Sequence, residues 1–575
     1  MSVALSARGM ARPGGLDLSR PVMFALAVVL CVLIVLPVSW LIYYAFTGRD
    51  GALSLGNFIA LFGDPAFTEP MLTTLTIAMS VGIACCAVAA PMGWLVARTD
   101  MPFAHTIRSL VMASFVTPPF LGAIAWEILA APNSGILNQW YRDLSGAPRE
   151  EHLFNIYSLP GVIFVIACYT FPYVFVLVSN ALERIPGDLE DASSILGGRA
   201  WHTARRVTVP LAMPAVLAGC LIAFLQAMTL FGSPAILALP AGFHTMTTKI
   251  WSLFQFPPKP GLAAAFALPL LLLTVALLRA QHQIMGKRGY QVIGGKSGPP
   301  RAVKLGWLRW PALAVCVAVL LNPVFLPYFA LFKTAFTRTF SQALSFENLT
   351  LQHFHFILDL DTAHIALKNT FMLGAMAATA GAGLALVIAY LTARRAIVGH
   401  RVLDFLATAP VAIPAIVLGV GLFLVYTRPP FVLYGTIWIL FIAYVTIELP
   451  AAYQQLQSAF RALNPELEEA SRILGATRLQ SLGHITAPLL RSGVIASWCF
   501  IFIGVIRELS AAILLFTADT KVISVLIYDL NESGDLGPIS VLGLAMLLIT
   551  FAVVIAANRL PGYGGWRGPG QRLAG

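Results

Sequence analysis

Charged residues are scarce in this sequence. Asp, Glu, Lys and Arg together make up 11% of the 575 residues, whereas hydrophobic residues make up 58%. A soluble globular domain carries about 25% charged residues, so the composition excludes that class. Mean hydropathy is +0.80, and the apolar runs are long enough to cross a bilayer as helices of about 20 residues. We therefore expect an all-α polytopic membrane protein.

Motifs that would indicate an enzyme are also missing. The sequence has no G-x-x-x-x-G-K-[ST] phosphate-binding loop, no H-E-x-x-H zinc motif and no paired aspartates at the centre of a span. The seven cysteines lie inside apolar runs without metal-ligand spacing to a histidine, so we interpret them as packing residues. These absences argue against a membrane-embedded enzyme.

Twelve apolar runs are long enough to span a membrane, six in each half of the chain. The first run is too long for the core of a signal peptide, and no small-residue cleavage site follows it. The predicted spans are residues 21–46, 70–97, 108–132, 158–181, 211–238, 262–280, 309–333, 365–393, 402–427, 433–456, 489–516 and 537–557.

Basic residues mark one side of this predicted membrane domain. Residues 279–309, between the sixth and seventh spans, hold seven Lys and Arg and no acidic residue, and further arginines flank the first, eighth and twelfth spans. With twelve spans these positions all fall on one side, which the positive-inside rule identifies as the cytoplasm. We expect both termini there, and topology rather than nucleic-acid binding explains the net charge of +11.

The sequence repeats itself once along its length. LSLGNF at 53–58 matches LTLQHF at 349–354 at an offset of 296, and residues 181–211 match residues 459–489 at an offset of 278 without a gap. The offset falls by 18 because loop 133–157 is longer than its counterpart. An even number of spans per unit makes the two units parallel, related by an axis along the membrane normal.

These boundaries divide the chain into two repeated units. Residues 1–283 form the first six-span unit, and residues 309–575 form the second. Residues 284–308, which include many Gly, Pro, Lys and Arg, form a linker between the two units. Each unit carries one charged, repeated segment, at 184–210 and at 462–488.

The repeated charged segment has the features of a helix, a turn and a second short helix. Pro186 and Pro465 lie near a predicted helix start, where a missing N–H costs little, and acidic residues in the first turns favour the helix dipole. Gly197 and Gly475 suit the helix ends. An ordinary amphipathic hairpin at the membrane surface is the alternative, but it has no reason to repeat its spacing so closely. The repetition predicts two docking sites for a soluble partner.

These residues resemble the EAA loop of permease subunits of ATP-binding-cassette (ABC) importers, whose pattern is roughly E-A-A-x-x-x-G followed by an apolar residue, two others and proline. DASSILG at 191–197 and EASRILG at 469–475 match the first part. Val207 to Pro210 and Ile485 to Pro488 match the second. Three departures preserve charge or small size: Asp191, Ser193 and Ser471.

The resemblance implies the type I ABC importer permease fold, with twelve transmembrane helices in two parallel six-helix repeats. It implies two copies of a cytoplasmic ABC ATPase that hold ATP and magnesium, a periplasmic substrate-binding protein, and a place in the bacterial inner membrane. No cofactor is expected on this chain. The implied ATPase-coupling residues are Glu190, Asp191, Ala192, Gly197, Glu468, Glu469, Ala470 and Gly475.

Two further segments bear on the substrate. Residues 230–273 and 507–530 look like the fused permeases of ferric-iron importers, a subgroup that includes permeases for 2-aminoethylphosphonate and thiamine. Carboxylates inside the spans suit a hard cation or an ammonium group better than a bare anion. We therefore rank ferric iron first, 2-aminoethylphosphonate second and thiamine third.

Four charged side chains lie inside predicted spans: Glu127, Glu448, Arg507 and Glu508. Such a charge costs roughly 2.5–3.5 kcal/mol on insertion scales and usually faces the bundle interior. The repeat places uncharged residues opposite Glu448, Arg507 and Glu508, so these three are not part of the shared scaffold. Two interpretations are open: interhelical ion pairs, and residues that line or gate a path.

An external stretch at 353–364 is rich in metal-ligand residue types: His353, His355, Asp359, Asp361 and His364. However, His353 aligns with Asn57 inside a motif shared by both halves, so we interpret the stretch as a solvated structural loop and assign no metal ligand. A secondary transporter, which needs no ATPase, is the main alternative class of function. It has no use for two ATPase-docking segments, so the sequence favours the importer permease.

Overall fold

A computed structural model describes residues 19–559 of the chain, apart from 49–50, 149, 199, 288–302, 343–344, 396 and 398. Most of the predicted linker 284–308, and the terminal residues 1–18 and 560–575, lie outside the described residues. The described part is helical, with three isolated β-bridges and no longer strand. The predicted all-α class is therefore confirmed.

The first half contains fourteen α-helices among the described residues. They are α1 Ser19–Leu30, α2 Leu36–Ala45, α3 Gly56–Gly63, α4 Pro65–Arg98, α5 Ala104–Val116, α6 Pro119–Ala130, α7 Ile136–Ser145, α8 Leu159–Glu183, α9 Gly187–Ile195, α10 Ala200–Thr203, α11 Val209–Thr229, α12 Gly232–Leu237, α13 Met246–Ser252 and α14 Pro260–Lys287.

The second half contains thirteen in its described residues. They are α15 Arg309–Leu320, α16 Leu326–Phe336, α17 Gln352–Asp359, α18 Asp361–Ala393, α19 His400–Thr408, α20 Ala415–Tyr426, α21 Ile437–Ala462, α22 Glu466–Ile473, α23 Arg478–Ser481, α24 Ala487–Arg507, α25 Ala512–Leu515, α26 Ile523–Glu532 and α27 Leu536–Arg559. Apart from α7, each helix of the first half has a counterpart in the second.

Ten described helices, some of them continuous through a π-helical turn, are long and apolar enough to cross a membrane, and two bent pairs raise the number to twelve. The pair α5 and α6 bends by 98°, and residues His400–Ala412 bend by 108° against α20. The predicted spans 108–132 and 402–427 are thus broken rather than continuous. Proline disfavours helical backbone in the preceding residue, and both breaks lie directly before a proline, at Pro118–Pro119 and at Pro414.

Two other predicted spans end earlier than expected. The prediction for 211–238 extends past the end of α11 at Thr229, and the prediction for 489–516 extends past the end of α24 at Arg507. Short helices α12 and α25 follow, and every residue of both is buried. The apolar run continues beyond the helix end because these short helices are also surrounded by protein.

The duplication extends to individual hydrogen bonds. The Thr74 hydroxyl accepts the backbone N–H of Met246 at 2.8 Å, and its repeat partner Thr370 accepts the N–H of Ile523 at 2.9 Å. Each bond joins a long span, α4 or α18, to the start of a short helix, α13 or α26. The two halves are therefore built on one plan.

The first span of each half packs on the other half as well as on its own. Helix α2 packs on α20 of the second half, and α16 packs on α6 of the first half. At these contacts the Trp126 indole N–H donates to the Asn322 carbonyl at 3.2 Å, and the hydroxyls of Thr117 and Tyr328 are 2.6 Å apart. The two sequence repeats therefore do not pack as two separate units.

Large apolar side chains cover much of the outer surface. Phe24 on α1, Leu72 on α4 and Leu548 on α27 are 65–70% exposed. Apolar exposure on this scale is not typical of a soluble protein, and hydrocarbon tails would cover these side chains. The arrangement is that of a multi-pass membrane protein.

Candidate functional site

The two repeated charged segments fold as predicted, each as a helix, a turn and a short second helix. Helix α9 ends at Ile195 and helix α22 at Ile473. Gly197 and Gly475 follow with φ of +83° and +95°, a left-handed conformation that glycine adopts at little steric cost. We refer to the face of the molecule that carries α9 and α22 as the EAA face.

Exposed apolar side chains lie at the C-terminal ends of both EAA helices, α9 and α22. Ile195 and Leu196 are 85% and 87% exposed, and their repeat partners Ile473 and Leu474 are 86% and 89% exposed. The sequence shows these four as matched positions but does not show which way they face. Two identical apolar protrusions on a charged face are suited to fit a groove on a partner protein.

The acidic residues of the EAA helices do not share one environment. Glu469, Ala192 and Ala470 are exposed, whereas Glu190 is buried. The assignment of Glu190 and Glu468 as ATPase-coupling residues stays a prediction, but both side chains are less exposed than that of Glu469. Both turn towards the membrane domain and pair with an arginine of this chain.

The serines that replace alanine in the EAA pattern have a structural role. The hydroxyls of Ser193 and Thr203 are 2.8 Å apart, and the Ser481 hydroxyl donates to Ser471 at 3.0 Å. Each bond joins the first helix of the segment to the second. The substitution thus adds a hydrogen bond that closes the turn.

The structure brings three of the four in-span charges together. The Glu448 carboxylate on α21 lies against Gly504 of α24, so closely that a Cβ at position 504 would overlap it. Arg507 and Glu508 follow one helical turn later, where α24 ends. All three are only partly buried. Charged side chains and a helix end at one level inside a membrane domain are features of a substrate path.

The three clustered charges form no salt bridge among the described residues. The Arg507 guanidinium instead lies over the ring of Phe115, 5.7 Å from its centre. The rings of Phe115 and Tyr173 form a T-shaped pair with their centres 5.0 Å apart. Phe115 and Tyr173 belong to the first half, so Arg507 lies where the two halves meet.

Glu508 has a partner within its own chain segment. Its carboxylate accepts the backbone N–H of Ala511 at 2.9 Å, which satisfies one free donor at the start of α25. Tyr444, one turn before Glu448 on α21, is 1% exposed, and its hydroxyl has no hydrogen-bond partner in the described part of the chain. Sequence reasoning missed Tyr444 because an apolar run gives no sign of which tyrosine faces the charges.

Glu127 lies apart from this cluster, near the end of α6. It accepts the Tyr157 hydroxyl at 2.8 Å and the Asn531 amide at 2.9 Å. Burial, and then the Glu127 carboxylate, raise the pKa of Tyr157 well above its ordinary value, so this hydroxyl stays protonated. Because Asn531 belongs to the second half, Glu127 joins the two halves.

The histidine-rich stretch 353–364 is mostly helical rather than a loop, since α17 and the start of α18 occupy it. The His353 and His364 ring nitrogens lie 3.0 Å and 2.6 Å from the backbone carbonyls of Thr337 and Leu358. Within the described residues, no group of three His, Cys, Asp or Glu could hold a metal ion. These histidines support the local backbone.

A helical membrane domain built twice on one plan, with one EAA segment in each half, defines a duplicated transport permease. The chain belongs to the family of binding-protein-dependent transport system inner membrane components. The family model matches it twice, at residues 89–287 and 381–561, and each match contains one EAA segment. The resemblance to importer permeases is thereby confirmed.

Two relatives are named as ferric transport permeases. The ferric transport system permease protein FbpB of Actinobacillus pleuropneumoniae is 27% identical over 448 residues, 76% of this chain and 63% of that protein. A putative ferric transport system permease of Haemophilus influenzae is 27% identical over 415 residues, 71% of this chain and 64% of that protein. This chain therefore spans less than two thirds of the length of either relative.

Among solved structures, a bacterial ABC transporter involved in the import of the acidic polysaccharide alginate is similar to part of the chain. The TM-score is 0.40 at 16% sequence identity, and the match covers 48% of this chain and 98% of that chain.

Proposed function

We propose that this protein is the membrane-spanning subunit of an ABC importer and that one chain supplies both halves of the translocation path. The observation that carries the proposal is the presence of two EAA segments with the same geometry on one chain. Each segment docks one copy of a separate ATPase, which binds ATP and magnesium. A periplasmic binding protein delivers the substrate to the opposite face.

Docking uses the exposed tips of the EAA helices. Ile195 and Leu196 on one helix, and Ile473 and Leu474 on the other, enter a groove on each ATPase copy. Gly197 and Gly475 set the direction of the turn, while Asp191 and Glu469 give each contact its charge. In this arrangement the EAA face and both chain termini are cytoplasmic, as the distribution of basic residues predicts.

The path runs between the halves, past Glu448, Arg507 and Glu508. Partly exposed charges without a salt-bridge partner are costly inside a membrane unless they face water or a passing ligand. Glu127 closes the opposite end, because its bond to Asn531 must break if the halves separate there. Rocking of the halves, driven by the ATPases, then opens one end at a time.

Ferric iron is the proposed substrate. Two relatives carry ferric transport in their names, and the carboxylates of the cluster are the hard oxygen ligands that such a cation prefers. 2-Aminoethylphosphonate ranks second, because its ammonium group also suits carboxylates, and thiamine ranks third.

The experiment is ATP hydrolysis by the complex reconstituted in lipid, with its cognate binding protein loaded in turn with each candidate. Stimulation by the Fe³⁺-loaded binding protein is expected. Stimulation by loaded 2-aminoethylphosphonate but not by Fe³⁺ would overturn the substrate and leave the importer assignment in place. Substrate uptake without any ATPase would contradict the importer itself.

A further inference from the structure

A buried arginine holds the first EAA helix to the membrane domain. Arg98, the last residue of α4, is 1% exposed, and its Nη2 lies 2.6 Å from Oε1 of Glu190 on α9. The Thr208 hydroxyl donates to the same carboxylate oxygen at 2.7 Å. Nη1 of Arg98 also donates to the Ile185 carbonyl at 3.3 Å, just before α9 begins.

The second half repeats this arrangement. Arg394, directly after α18, donates from Nη2 and Nε to Oε1 of Glu468 at 3.0 and 3.2 Å. The Thr486 hydroxyl donates to the same oxygen at 2.9 Å, and Nη1 of Arg394 approaches the Leu463 carbonyl at 3.5 Å. Each of these four residues occupies the repeat position of its counterpart in the first half.

A docking role for Glu190 and Glu468 does not account for these contacts. The Glu468 carboxylate accepts from Arg394 and Thr486, and the Glu190 carboxylate accepts from Thr208 and forms an ion pair with Arg98. Neither carboxylate is therefore free to bind another protein. Removing one partner of a buried, hydrogen-bonded ion pair is costly because the other charge is left uncompensated. The same arginine, glutamate and threonine at repeat-related positions in both halves indicate a selected geometry rather than a chance surface pair.

We propose that Arg98 and Arg394 are positioning residues for coupling. Each arginine ties the end of a long span, α4 or α18, to the first turns of an EAA helix, so that a displacement of that helix moves the span. We call this arginine–glutamate contact the tie. It lies within this chain and needs no partner protein. Its part in transport rests on the proposed function, in which the ATPase moves the EAA helices.

Charge reversal in the intact chain tests the tie directly. Hydrogen exchange of residues 464–475 is measured on the purified protein in lipid nanodiscs for Arg394→Glu, Glu468→Arg and the combined swap. We expect each single reversal to speed exchange roughly tenfold to a hundredfold, since charge-assisted bonds hold this segment closed. The swap should return exchange to within about twofold of the unaltered chain, because the pair is restored with opposite polarity.

Controls separate the tie from general charge effects. Arg395→Glu makes the same charge change as Arg394→Glu on the neighbouring, exposed residue, and it should leave exchange of α22 within about twofold of the unaltered chain. Glu468→Gln keeps an acceptor for Thr486 and covers the case in which a reversal fails to fold. The tie would be overturned if hydrogen exchange of residues 464–475 were unchanged in the folded single variants. It would also be overturned if the swap did not slow the exchange that the single reversals had made faster.

The coupling role has its own readout in the complex with the ATPase. Arg394→Glu should lower the amount of substrate imported per ATP hydrolysed, whereas damage confined to docking would lower import and hydrolysis together. An unchanged ratio of import to hydrolysis would overturn the positioning role. If exchange behaves as expected but no ATPase binds any variant or the unaltered chain, the tie stands and the proposed function fails.

Discussion

At the scale of single residues, two glycines set the geometry on which the site depends. Gly475 follows α22 with φ of +95°, and nothing lies within 4 Å of the position a Cβ would occupy. Any L-residue there meets backbone strain of about 1 kcal/mol rather than a clash. At position 504, in contrast, a substitution meets a steric clash rather than backbone strain, because an added Cβ would overlap the Glu448 carboxylate.

Gly475→Ala should weaken ATPase association several-fold while membrane abundance stays normal. The strain would redirect the chain after Leu474 and change how the exposed side chains are presented. Gly483→Ala is the matched control, because position 483 also has free space but lacks the positive φ. Co-purification of the ATPase with each variant is the measurement, and equal recovery from both would contradict the assignment.

Gly504→Ala should lower transport with little change in thermal stability. The atom that must move is the end of a flexible side chain, so the strain is small, but the Glu448 carboxylate would leave its position beside Arg507. Gly383→Ala on α18 adds a methyl group where nothing lies within 4 Å, and it should leave transport unaltered. Import assays and melting temperatures on both variants test this, and normal import by Gly504→Ala would remove Glu448 from the path.

At the scale of elements, the sequence predicts where the EAA helices begin and end better than how they face. Prolines, acidic first turns and glycines mark their ends, and the structure places the helices there. A helix of eight or nine residues is too short for its apolar pattern to show which acid turns inward, so the contacts of Glu190 and Glu468 with arginine could not be predicted. The prolines at the two bent spans, in contrast, were a readable signal for the breaks.

Replacing Ile473 and Leu474 by serine should reduce ATPase association at least about tenfold, because burying each of these side chains contributes roughly 1.5–3 kcal/mol. Both residues are more than 85% exposed and touch little of their own chain, so folding should not change. Phe346→Ser removes an equally exposed side chain, 95% exposed, from a loop far along the chain from either EAA segment. The measurement is binding of the purified ATPase to each immobilised permease variant. Docking at these helix tips would be contradicted if the serine variant and Phe346→Ser lost ATPase binding equally, or if neither lost it.

At the scale of the whole molecule, the duplication was readable from the sequence, and the packing of each first span against the other half was not. Periodicity shows that two units exist, but no residue pattern in α2 or α16 states that the neighbour belongs to the other half. The interlocked packing of α2 on α20 and of α16 on α6 makes the two halves one membrane domain.

Residues 1–287 expressed alone should be degraded, because α6 and α14 would lose buried contacts with the second half. Co-expression of residues 288–575 should restore both fragments to the membrane, since the contacts are non-covalent. Membrane abundance of each fragment, alone and together, is the measurement. Stable accumulation of residues 1–287 by themselves would show that the halves pack independently.

Native mass spectrometry of the complex tests the central claim most directly. If one chain supplies both EAA helices, the complex contains one copy of this 61.8 kDa subunit and two copies of the ATPase. Glu468→Arg combined with serine at Ile473 and Leu474 should then leave one ATPase bound through the first segment. Two copies of this chain in the intact complex, or a single ATPase copy on the unaltered chain, would contradict the account.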